Sequence, residues 1–526
     1  MTPARRSGLL VPLFSAPSTT SWGIGDIGDI TALTTWLAGA GQRILQMLPL
    51  NEMAPGTQSP YSALSAMAID PIYICVADML DFQAAGGLAT LDAADRAALA
   101  RAQHAGRVEY AIVRPIKERA LRTAFAHFVS HEWRVSSPRA LAMRAYMDAE
   151  SWWLTDYALF RALHDRYAGT TWTEWPEAVK TRMPDALAAV ARELADSILF
   201  YQYLQWIAGQ QWAHARAAAA QRGVALFGDL PFMVDLHSAD VWVHQATFHL
   251  DRSVGVPPDA FSATGQDWGM PAYDWDAFAA AGFRWLRDRA RRSAALFDGY
   301  RVDHLVGFYR TYSRPRNGVG DAAFDPSTED AQIALGEQVL RIFGEPGAEI
   351  IAEDLGVVPD FVRASLKALD VPGFRVFRWE RQWRVEGQPF TDPVDYPSRS
   401  VATTGTHDTE PLITWWESAP IEEKTAMAAV PSIKATAGDV DLLTASFVPT
   451  VRDILLDALL GSGSEIVLVP IQDVFGWSDR INQPATVNDI NWSYRLPWAV
   501  DSLDSQVDAR ECQARLRVWV AKHART

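Results

Sequence analysis

Three segments of the chain each contain charged residues whose types suit acid–base and nucleophilic chemistry. They are DGYRVDH at 298–304, EIIAEDLG at 349–356 and TTGTHDT at 403–409. Each segment follows or contains an apolar run and supplies a carboxylate, at intervals of roughly fifty residues, which is one or two strand–helix units per step. Several carboxylates from separate strand ends are a more specific signal than any one of them.

The first segment places a guanidinium beside a carboxylate. Side chains alternate along a strand, so Arg301 and Asp303 point to one side and Val302 to the other. If that side faces the inside of a barrel, the cation should lower the pKa of Asp303 and leave an ionised nucleophile. The alternative interpretation is a structural ion pair, which an isolated Arg-x-Asp pattern also fits.

The other two segments offer an acid and a further carboxylate. Glu353 and Asp354 follow apolar residues, whose proximity is expected to raise a carboxyl pKa, as a general acid requires. Such a pair alone also fits a strand end whose acidic residue caps the next turn. His407 and Asp408 close the third segment and add a carboxylate with an imidazole neighbour.

Together these side chains predict retaining glycosyl transfer. That chemistry needs two carboxylates about 5–5.5 Å apart, one as nucleophile and the other as acid and then base. The third carboxylate and the histidine can hydrogen-bond ring hydroxyls and hold the distorted sugar.

A metal site is the alternative for the same residues, with Asp303, His304, His407 and Asp408 as ligands. Barrel hydrolases use mixed histidine and carboxylate sites. However, the sequence has no paired-histidine motif of the H-x-H or H-E-x-x-H kind, and Arg301 would repel a cation. We therefore expect no metal and no other cofactor.

A series of short apolar runs predicts strands buried on both faces, with helices between several of them. The runs lie at 43–50, 224–234, 297–304, 349–356, 373–379, 400–409 and 465–476. Alternating strands and helices favour an α/β fold with a parallel sheet. Because the carboxylates fall at the ends of several strands, a (β/α)8 TIM barrel is favoured over an open sheet, which would gather them at one switch point.

We expect one catalytic barrel domain over residues 1–526, with helical and irregular insertions at the C-terminal face. A mostly helical insertion is predicted at about 60–195, where strand alternation is weak. Residues 235–275, rich in Gly, Pro and aromatics with little periodicity, are predicted to be substrate-binding loops. A smaller insertion is placed at about 309–345, and no separate C-terminal β-sandwich is expected.

Composition excludes some classes of partner. Lys and Arg number 48 against 63 Asp and Glu, a net charge of −15 with neutral His. A protein with this net negative charge repels phosphate backbones and anionic surfaces. We therefore expect neither nucleic acid nor a membrane as a partner. Cys75 and Cys512 fit buried thiols in a reducing compartment. The N-terminal apolar patch is broken by Pro12 and lacks a signal-peptide run, which favours a cytoplasmic location.

Further blocks accompany the three carboxylate segments along nearly the whole chain. They are SWGIGDIGD (21–29), QMLPL to SPYSALSAMAIDP (46–71), FYQYLQWIAGQQW (200–212), GDLPFMVDLHSADVW (228–242), GVPPDAFSATGQDWG (255–269) and NWSYRLP (491–497). This ordered set resembles the amylomaltases, the 4-α-glucanotransferases of glycoside hydrolase family 77, which are related to the α-amylase superfamily. The resemblance implies that Asp303 is the nucleophile, Glu353 the acid/base and Asp408 the transition-state-stabilising carboxylate. It also implies that Arg301 and His407 hydrogen-bond at the cleaved sugar.

Substrate-binding residues follow from the same resemblance. Tyr61 matches a residue that lines the donor side, and Asp229 lies at a barrel strand end. Phe261 stands near a loop tip that grips glucan chains, while Gln266 and Trp268 match a loop over the acceptor side. Core packing is the alternative for Trp268. The implied partners are α-1,4-glucans and malto-oligosaccharides, with glucose as an acceptor, acted on by a monomer or homodimer.

Several positions around the site depart from the family pattern. An aromatic residue usually follows PPD, where this chain has Ala260. Residues 55–58 replace a Gly-Tyr-Gly-Asp-like run, Met270 stands in a WGNP-like tetrapeptide, and Leu305-Val306 follows RVDH. These positions bear on chain-length preference and on the balance between transfer and hydrolysis. The alternative functions are a hydrolase or narrow transglycosylase for short α-glucosides, and a non-catalytic glycan-binding protein.

Overall fold

The computed structural model describes residues 5–258, 265–484 and 486–525. The strands are β1 (Arg6–Leu10), β2 (Ile44–Gln46), β3 (Ala225–Leu230), β4 (Phe248–Val256), β5 (Gln266–Tyr273), β6 (Gly299–Val302), β7 (Thr311–Pro315), β8 (Ala323–Asp325), β9 (Glu349–Ala352), β10 (Gly373–Val376), β11 (Ser400–Thr403) and β12 (Ile466–Pro470).

The helices are bounded as follows: α1 (Ile30–Gly39), α2 (Leu80–Ala84), α3 (Ala93–His104), α4 (Tyr110–Phe128), α5 (Pro138–Ala149), α6 (Ser151–Arg166), α7 (Glu177–Lys180), α8 (Pro184–Glu193), α9 (Ala195–Gln221), α10 (Ala239–Val243), α11 (Trp275–Ala280), α12 (Arg284–Leu296), α13 (Val306–Tyr309), α14 (Glu329–Gly344), α15 (Asp360–Ala368), α16 (Leu412–Ser418), α17 (Ile421–Ala428), α18 (Pro431–Ala437), α19 (Arg452–Leu460), α20 (Ile471–Phe475) and α21 (Val507–Lys522).

Eight parallel strands of the described chain close into a barrel. Their order is β1, β12, β11, β10, β9, β6, β3 and β2, with β2 returning to β1. With helices in its connections, this is the (β/α)8 barrel predicted from the sequence, and that prediction is confirmed. After β12, the residues described up to 525 form helices and irregular segments without a β-sandwich. Among the described helices, none is both long and apolar enough to span a membrane.

The first barrel strand, β1, is not among the apolar runs singled out in the sequence. It is five residues long and begins with the polar pair Arg6 and Ser7, so it gives a weak signal. It pairs with β2 through Gly8 and Ile44, where a Cβ on the glycine would lie 2.3 Å from the Ile44 carbonyl oxygen. Glycine therefore lets the two strands meet. The Arg6 guanidinium also bonds Glu349 at 2.7 Å, across to the start of β9.

Alternation along the strands divides the barrel between an apolar floor and a polar rim. A buried apolar cluster from six of its strands consists of Ile44, Phe227, Ile351, Phe374, Val401, Ile466 and Leu468. Phe227 and Ile351 share the inward phase of their strands with Asp229 and Glu353, two residues further on. The same phase on β6 carries Arg301 and Asp303 towards the carboxyl end of the barrel. The apolar residues thus support the charged ones from below.

The helical insertion carries α2 to α8 over residues 80–193, whereas the second insertion is more regular than the sequence indicates. Residues 235–275 were expected to be irregular, but they contain β4 and β5, which join β7 and β8 in an antiparallel sheet of order β5-β4-β7-β8. Register shifts between β4 and β5 at His249, Ser253 and Gly255 break the strict alternation by which a strand is recognised. Within residues 309–345, β7 and β8 belong to this sheet. The helix α14 instead packs against α12 and α15.

A buried lysine ties the helical insertion to the segment that precedes α1. Lys117, on α4, donates to the carbonyls of Ile72 and Ile74 at 2.7 and 2.9 Å and to Asp26 at 3.2 Å. The Lys117 and Asp26 side chains are each only 1% exposed. A buried charge is tolerated only when it is paired and hydrogen-bonded, so this contact fixes α4 against the segment before α1.

Lys117→Met should therefore destabilise the protein. The substitution leaves Asp26 buried without its cation, which costs about 3–5 kcal/mol when one member of a buried pair is lost. The free energy of unfolding in urea measures the effect. Adding Asp26→Asn to Lys117→Met should recover part of the loss, because the orphaned charge is gone.

A matched control is the exposed pair of Arg122 and Glu118 on the same helix, in contact at 2.8 Å. Arg122→Met should change stability by less than about 1 kcal/mol. Equal losses for Lys117→Met and Arg122→Met would contradict the anchoring role of Lys117.

Candidate active site

The first two carboxylates converge on one guanidinium nitrogen. Arg301 Nη2 lies 2.9 Å from Asp303 Oδ1 and 2.8 Å from Glu353 Oε2. Strands β6 and β9 are neighbours in the barrel, with Arg301 opposite Ile351. The two carboxylates are about one-fifth exposed, whereas Arg301 is 3% exposed. The charged groups therefore face the open end of the barrel from a buried cation.

Strand phase decides between the two acidic residues at the end of β9. Glu353 follows the inward-facing Ile351 by two positions and reaches Arg301. Asp354 points the other way, where it accepts a hydrogen bond from the Phe374 N–H at 2.6 Å and lies 3.3 Å from Arg375. Asp354 is therefore a buried structural carboxylate, and only Glu353 joins the site.

A strained residue completes the contacts of Glu353. His304 has φ of 41°, in the left-handed region that non-glycine residues seldom adopt. In this conformation its N–H donates to Glu353 Oε2 at 2.8 Å. The ring of His304 packs edge-to-face against Trp268, with centroids 4.9 Å apart. Backbone strain at such a position is typical of functional sites.

Arg301 is held from behind by a third carboxylate. Its Nη1 lies 2.5 Å from Asp229 Oδ2, and Asp229 and Arg301 are directly paired across β3 and β6. The Asp229 side chain has no exposed surface, and Tyr61 Oη donates to the same oxygen at 2.7 Å. Asp229 thus positions Arg301 and Tyr61 in this arrangement, and a direct contact with substrate stays a prediction.

Sequence reasoning expected a low pKa for Asp303 and a raised one for Glu353, and the structure reverses both. Burial raises the pKa of Asp303 well above its usual value, because Glu353 and Asp229 offset much of the lowering by Arg301. Burial also acts to raise the pKa of Glu353, but Arg301 and the His304 N–H bring it down to about 2. Of the two coupled carboxyls, Asp303 thus has the higher pKa and Glu353 the lower in this arrangement.

The third segment reaches the same site through an aromatic stack. His407 Nε2 lies 3.4 Å from Asp408 Oδ1, and the imidazole is 4% exposed. The Tyr61 ring stacks on His407 with centroids 5.1 Å apart and planes 16° from parallel. Burial raises the pKa of Tyr61 well above its usual value, and the charges that add to this effect include Asp229, Asp303 and Asp408. Tyr61 therefore lies among the ends of β3, β6 and β11.

Two polar residues that sequence reasoning missed hold Asp408. Asn482 Nδ2 donates to Asp408 Oδ1 at 2.6 Å. The Arg480 guanidinium donates to the Asp408 carbonyl and, through Nε, to the Asn482 carbonyl at 2.6 Å. Both residues follow α20 and lie more than seventy positions after Asp408 in the sequence. The segment after β12 is therefore the part of the sequence that could have indicated them.

The proposed acceptor side is described in part. Trp268 is half-buried on β5, and its Nε1 donates to Gln266 Oε1 at 3.1 Å. Contact with His304 brings Trp268 next to the carboxylates, which favours the binding role over core packing alone. Phe261 and Ala260 lie outside the described residues. Within residues 5–258, 265–484 and 486–525, no group of three or more His, Cys, Asp or Glu side chains is placed to hold a metal ion.

Comparisons with known proteins agree with one another. The model of the family Glyco_hydro_77, described as 4-alpha-glucanotransferase, matches residues 11–501. A 4-alpha-glucanotransferase of Thermus thermophilus is 33% identical over 509 residues, which cover 94% of this chain and 95% of that protein. The 4-alpha-glucanotransferase of Chlamydia pneumoniae is 30% identical, with coverage of 95% and 92%.

Solved structures with the same fold include two amylomaltases. One is from Streptococcus agalactiae in complex with acarbose, with a TM-score of 0.80, 24% identity and coverage of 99% of each chain. The other is from Corynebacterium glutamicum, with a TM-score of 0.79, 22% identity and coverage of 97% of this chain and 75% of that one. At these identities the likeness concerns the fold.

Asn482→Ala should weaken the function of Asp408 while leaving the chain folded. The carboxylate loses its amide donor, and a hydrogen bond to a charged group contributes about 1.5–3 kcal/mol, or roughly 10- to 100-fold in kcat/KM. Initial rates on maltotriose and the thermal midpoint measure the two effects.

Asn317, an exposed loop amide, provides the matched control. Asn317→Ala should leave kcat/KM unchanged. If Asn482→Ala also kept the wild-type kcat/KM, the positioning role of Asn482 would be excluded.

Proposed function

Since the chain belongs to the 4-alpha-glucanotransferases of glycoside hydrolase family 77, we propose a division of labour among Asp303, Glu353 and Asp408. The protein is an enzyme that transfers α-1,4-glucan segments. The proposal concerns how its own side chains carry out that transfer, and which acceptors they serve.

The single observation that carries the mechanism is the shared contact with Arg301. Both carboxylate oxygens lie within 2.9 Å of one nitrogen. The two distances together keep these oxygens within about 6 Å of each other, which fits the about 5–5.5 Å of retaining enzymes better than the wider gap of inverting ones. This geometry supports double displacement with net retention.

In the first step, Asp303 attacks the anomeric carbon of the donor while Glu353 protonates the departing glycosidic oxygen. A covalent glucosyl ester forms on Asp303, and the chain on the leaving side departs with a free 4-hydroxyl. In the second step, Glu353 accepts the proton of an acceptor 4-hydroxyl, whose oxygen displaces Asp303. The new bond has the configuration of the old one.

The coupled titration of Asp303 and Glu353 bears on this sequence of steps. Attack requires an ionised Asp303 and a protonated Glu353, the reverse of the order of their pKa values without sugar. A bound donor offers Glu353 an oxygen to protonate and places a carbon that becomes positive beside Asp303, so both contacts favour moving the proton to Glu353.

The remaining site residues act on the sugar ring. Asp408 and His407 are placed to bind ring hydroxyls more tightly as the ring flattens, which lowers the barrier by differential binding. Arg301 keeps both reacting carboxylates in register. Trp268 and Gln266 stand on the acceptor side, where a bound sugar excludes water and favours transfer over hydrolysis.

The expected substrates are α-1,4-glucans and malto-oligosaccharides, with glucose as an acceptor, and the enzyme acts as a monomer or homodimer. A cytoplasmic location is supported by Cys75 and Cys512, both of which are buried and free. Unpaired thiols persist in a reducing compartment. Burial raises the pKa of the Cys512 thiol to about 12, which keeps it protonated and unreactive.

Maltotriose alone should be converted into glucose and longer oligomers, with a constant number of reducing ends. Transfer exchanges one glycosidic bond for another, whereas hydrolysis consumes water and creates ends. Chromatography of products together with a reducing-end assay separates these outcomes. Asp303→Asn should lower the rate by about 10⁴-fold or more, since no covalent intermediate can form.

Asp360→Asn, at an exposed carboxylate, is the control and should retain full activity. A steady rise in reducing ends would replace transfer by hydrolysis as the main reaction. Full activity of Asp303→Asn would remove the nucleophile from the proposal.

Glu353→Gln should spare donors that need no protonation. Fluoride leaves without an acid, so release of fluoride from α-maltosyl fluoride should persist, while turnover of maltotriose falls by about 10²- to 10⁴-fold. Negative Glu353 helps to raise the pKa of Asp303. Its removal lowers that pKa, so the acidic limb of kcat/KM for fluoride release should move to lower pH than in the wild type.

Glu349→Gln, at the opposite end of β9, should leave that limb in place. An acidic limb that stays or moves to higher pH in Glu353→Gln would contradict the coupling between the two carboxyls.

A further inference from the structure

A buried guanidinium holds both ends of residues 404–411, the segment between β11 and α16 that we call the 404–411 loop. Arg378 donates through Nε to the Thr404 carbonyl at 3.2 Å and through Nη2 to the Glu410 carbonyl at 2.9 Å. Its Nη1 also donates to Glu410 Oε1 at 2.9 Å. The first and the last turn of the loop are therefore attached to one cation.

Strand register brings Arg378 to this place. The strands β10 and β11 are parallel neighbours, with Val376 opposite Thr403. The Phe377 N–H continues the ladder by donating to the Thr403 carbonyl at 2.8 Å. Arg378 comes next and is only 3% exposed, with its Cζ 5.4 Å from the centroid of the Trp415 ring on α16. The guanidinium thus lies between the strand that enters the loop and the helix that leaves it.

A buried carboxylate on α20 makes the complementary contacts. Asp473, which is 1% exposed, accepts from the Thr404 hydroxyl at 2.5 Å and from the Leu412 N–H at 2.7 Å. Burial lowers the pKa of Arg378, and the charge of Asp473 opposes this effect. The cation therefore binds the acceptors at the two ends of the loop, while the anion binds the donors.

The loop between these ends is tied by its own hydrogen bonds. The Thr406 N–H donates to Thr409 Oγ1 at 3.0 Å, and the same hydroxyl donates to the Thr406 carbonyl at 3.0 Å. The Asp408 N–H donates to Thr406 Oγ1 at 3.2 Å. At Gly405 a Cβ would lie 2.2 Å from Thr409 Oγ1, so the close turn requires glycine. Because internal bonds fix the shape of the loop, its attachment at the ends decides its orientation.

The orientation of the loop decides where the Asp408 carboxylate stands. Asn482 and Arg480 contact Asp408 from the segment after α20, on the far side of the loop from β10. These contacts hold the tip, whereas Arg378 holds the base. A shift of about 1 Å in a group that acts on the transition state can cost about 10²-fold in rate.

We propose that Arg378 is a positioning residue for the transfer reaction, which holds both ends of the 404–411 loop and thereby keeps the Asp408 carboxylate where it binds the flattened sugar ring. The inference rests on the proposed function of Asp408. Three separate N–H groups of Arg378 reach three oxygens, so the shape of the guanidinium matters as well as its charge.

Substitutions at Arg378 test the proposal through the division between kcat and KM. Arg378→Gln should lower kcat on maltotriose by about 10- to 50-fold and leave KM within about twofold, because the lost interaction acts in the transition state. Arg378→Lys should lose about three- to tenfold, since one ammonium cannot bond both ends of the loop. Initial rates are measured well below the thermal midpoint of each variant, and Arg378→Lys preserves the test if Arg378→Gln does not fold.

Arg292→Gln is the matched control. Arg292 is a buried arginine on α12 that donates to the Met67 carbonyl at 2.8 Å. Its replacement should lower the thermal midpoint but leave kcat within about twofold. An equal loss of kcat in Arg292→Gln, or wild-type kcat in folded Arg378→Gln, would overturn the proposal. A loss confined to KM would do the same.

A double-mutant cycle shows whether Arg378 acts through Asp408. The rate of fluoride release from α-maltosyl fluoride is measured for Arg378→Gln, Asp408→Asn and the double variant. Once Asp408→Asn has removed the carboxylate, Arg378→Gln should lower the rate by less than a further twofold or so. Losses that multiply in full would show that Arg378 acts by another route and would contradict the inference.

The same cycle separates this inference from the proposed function. Wild-type fluoride release by Asp408→Asn would remove the proposed role of Asp408 and the inference with it. A large loss in Asp408→Asn beside full activity in Arg378→Gln would remove the inference alone.

Discussion

The site depends on one buried cation. Arg301 is enclosed by the barrel and contacts three carboxylates, Asp229 from behind and Asp303 and Glu353 in front. A guanidinium in such a place is stable only while it is paired, and its planar fork fixes where the partners can stand. Strand register supplies those partners, since β3, β6 and β9 are neighbours. Charge balance around Arg301 thereby fixes the separation of the two reacting carboxylates, Asp303 and Glu353.

The rest of the site is assembled around this cation by segments that return from far along the chain. Tyr61 comes from the loop after β2, bonds Asp229 and stacks on His407. Trp492 comes from beyond β12 and packs near the same imidazole, with centroids 5.7 Å apart. Trp268 arrives on the antiparallel sheet. Together these elements surround the charged residues at the carboxyl end of the barrel, above its apolar cluster.

Much of this could be predicted from sequence because it follows from local rules. Apolar runs marked seven barrel strands, and alternation placed Arg301 and Asp303 on one face. The features that were missed depend on distant partners. The strand β1 is too short and polar to be recognised, bulges hide β4 and β5, and Asn482 meets Asp408 only after folding. The pKa order of Asp303 and Glu353 was predicted wrongly for the same reason. The His304 N–H favours ionised Glu353, and its position depends on tertiary structure.

The pairing of β1 with β12 sets the order in which the molecule can be completed during synthesis. The opening strand must wait for the residues around 466–470 before its second edge is covered. Until then, a nascent chain carries Arg301 and its acidic partners in an open sheet whose two edges are unprotected. Contacts between such distant segments form slowly and leave aggregation-prone surface exposed meanwhile. Chaperone demand and yield in expression should thus be governed by the final barrel strand rather than by the catalytic segments.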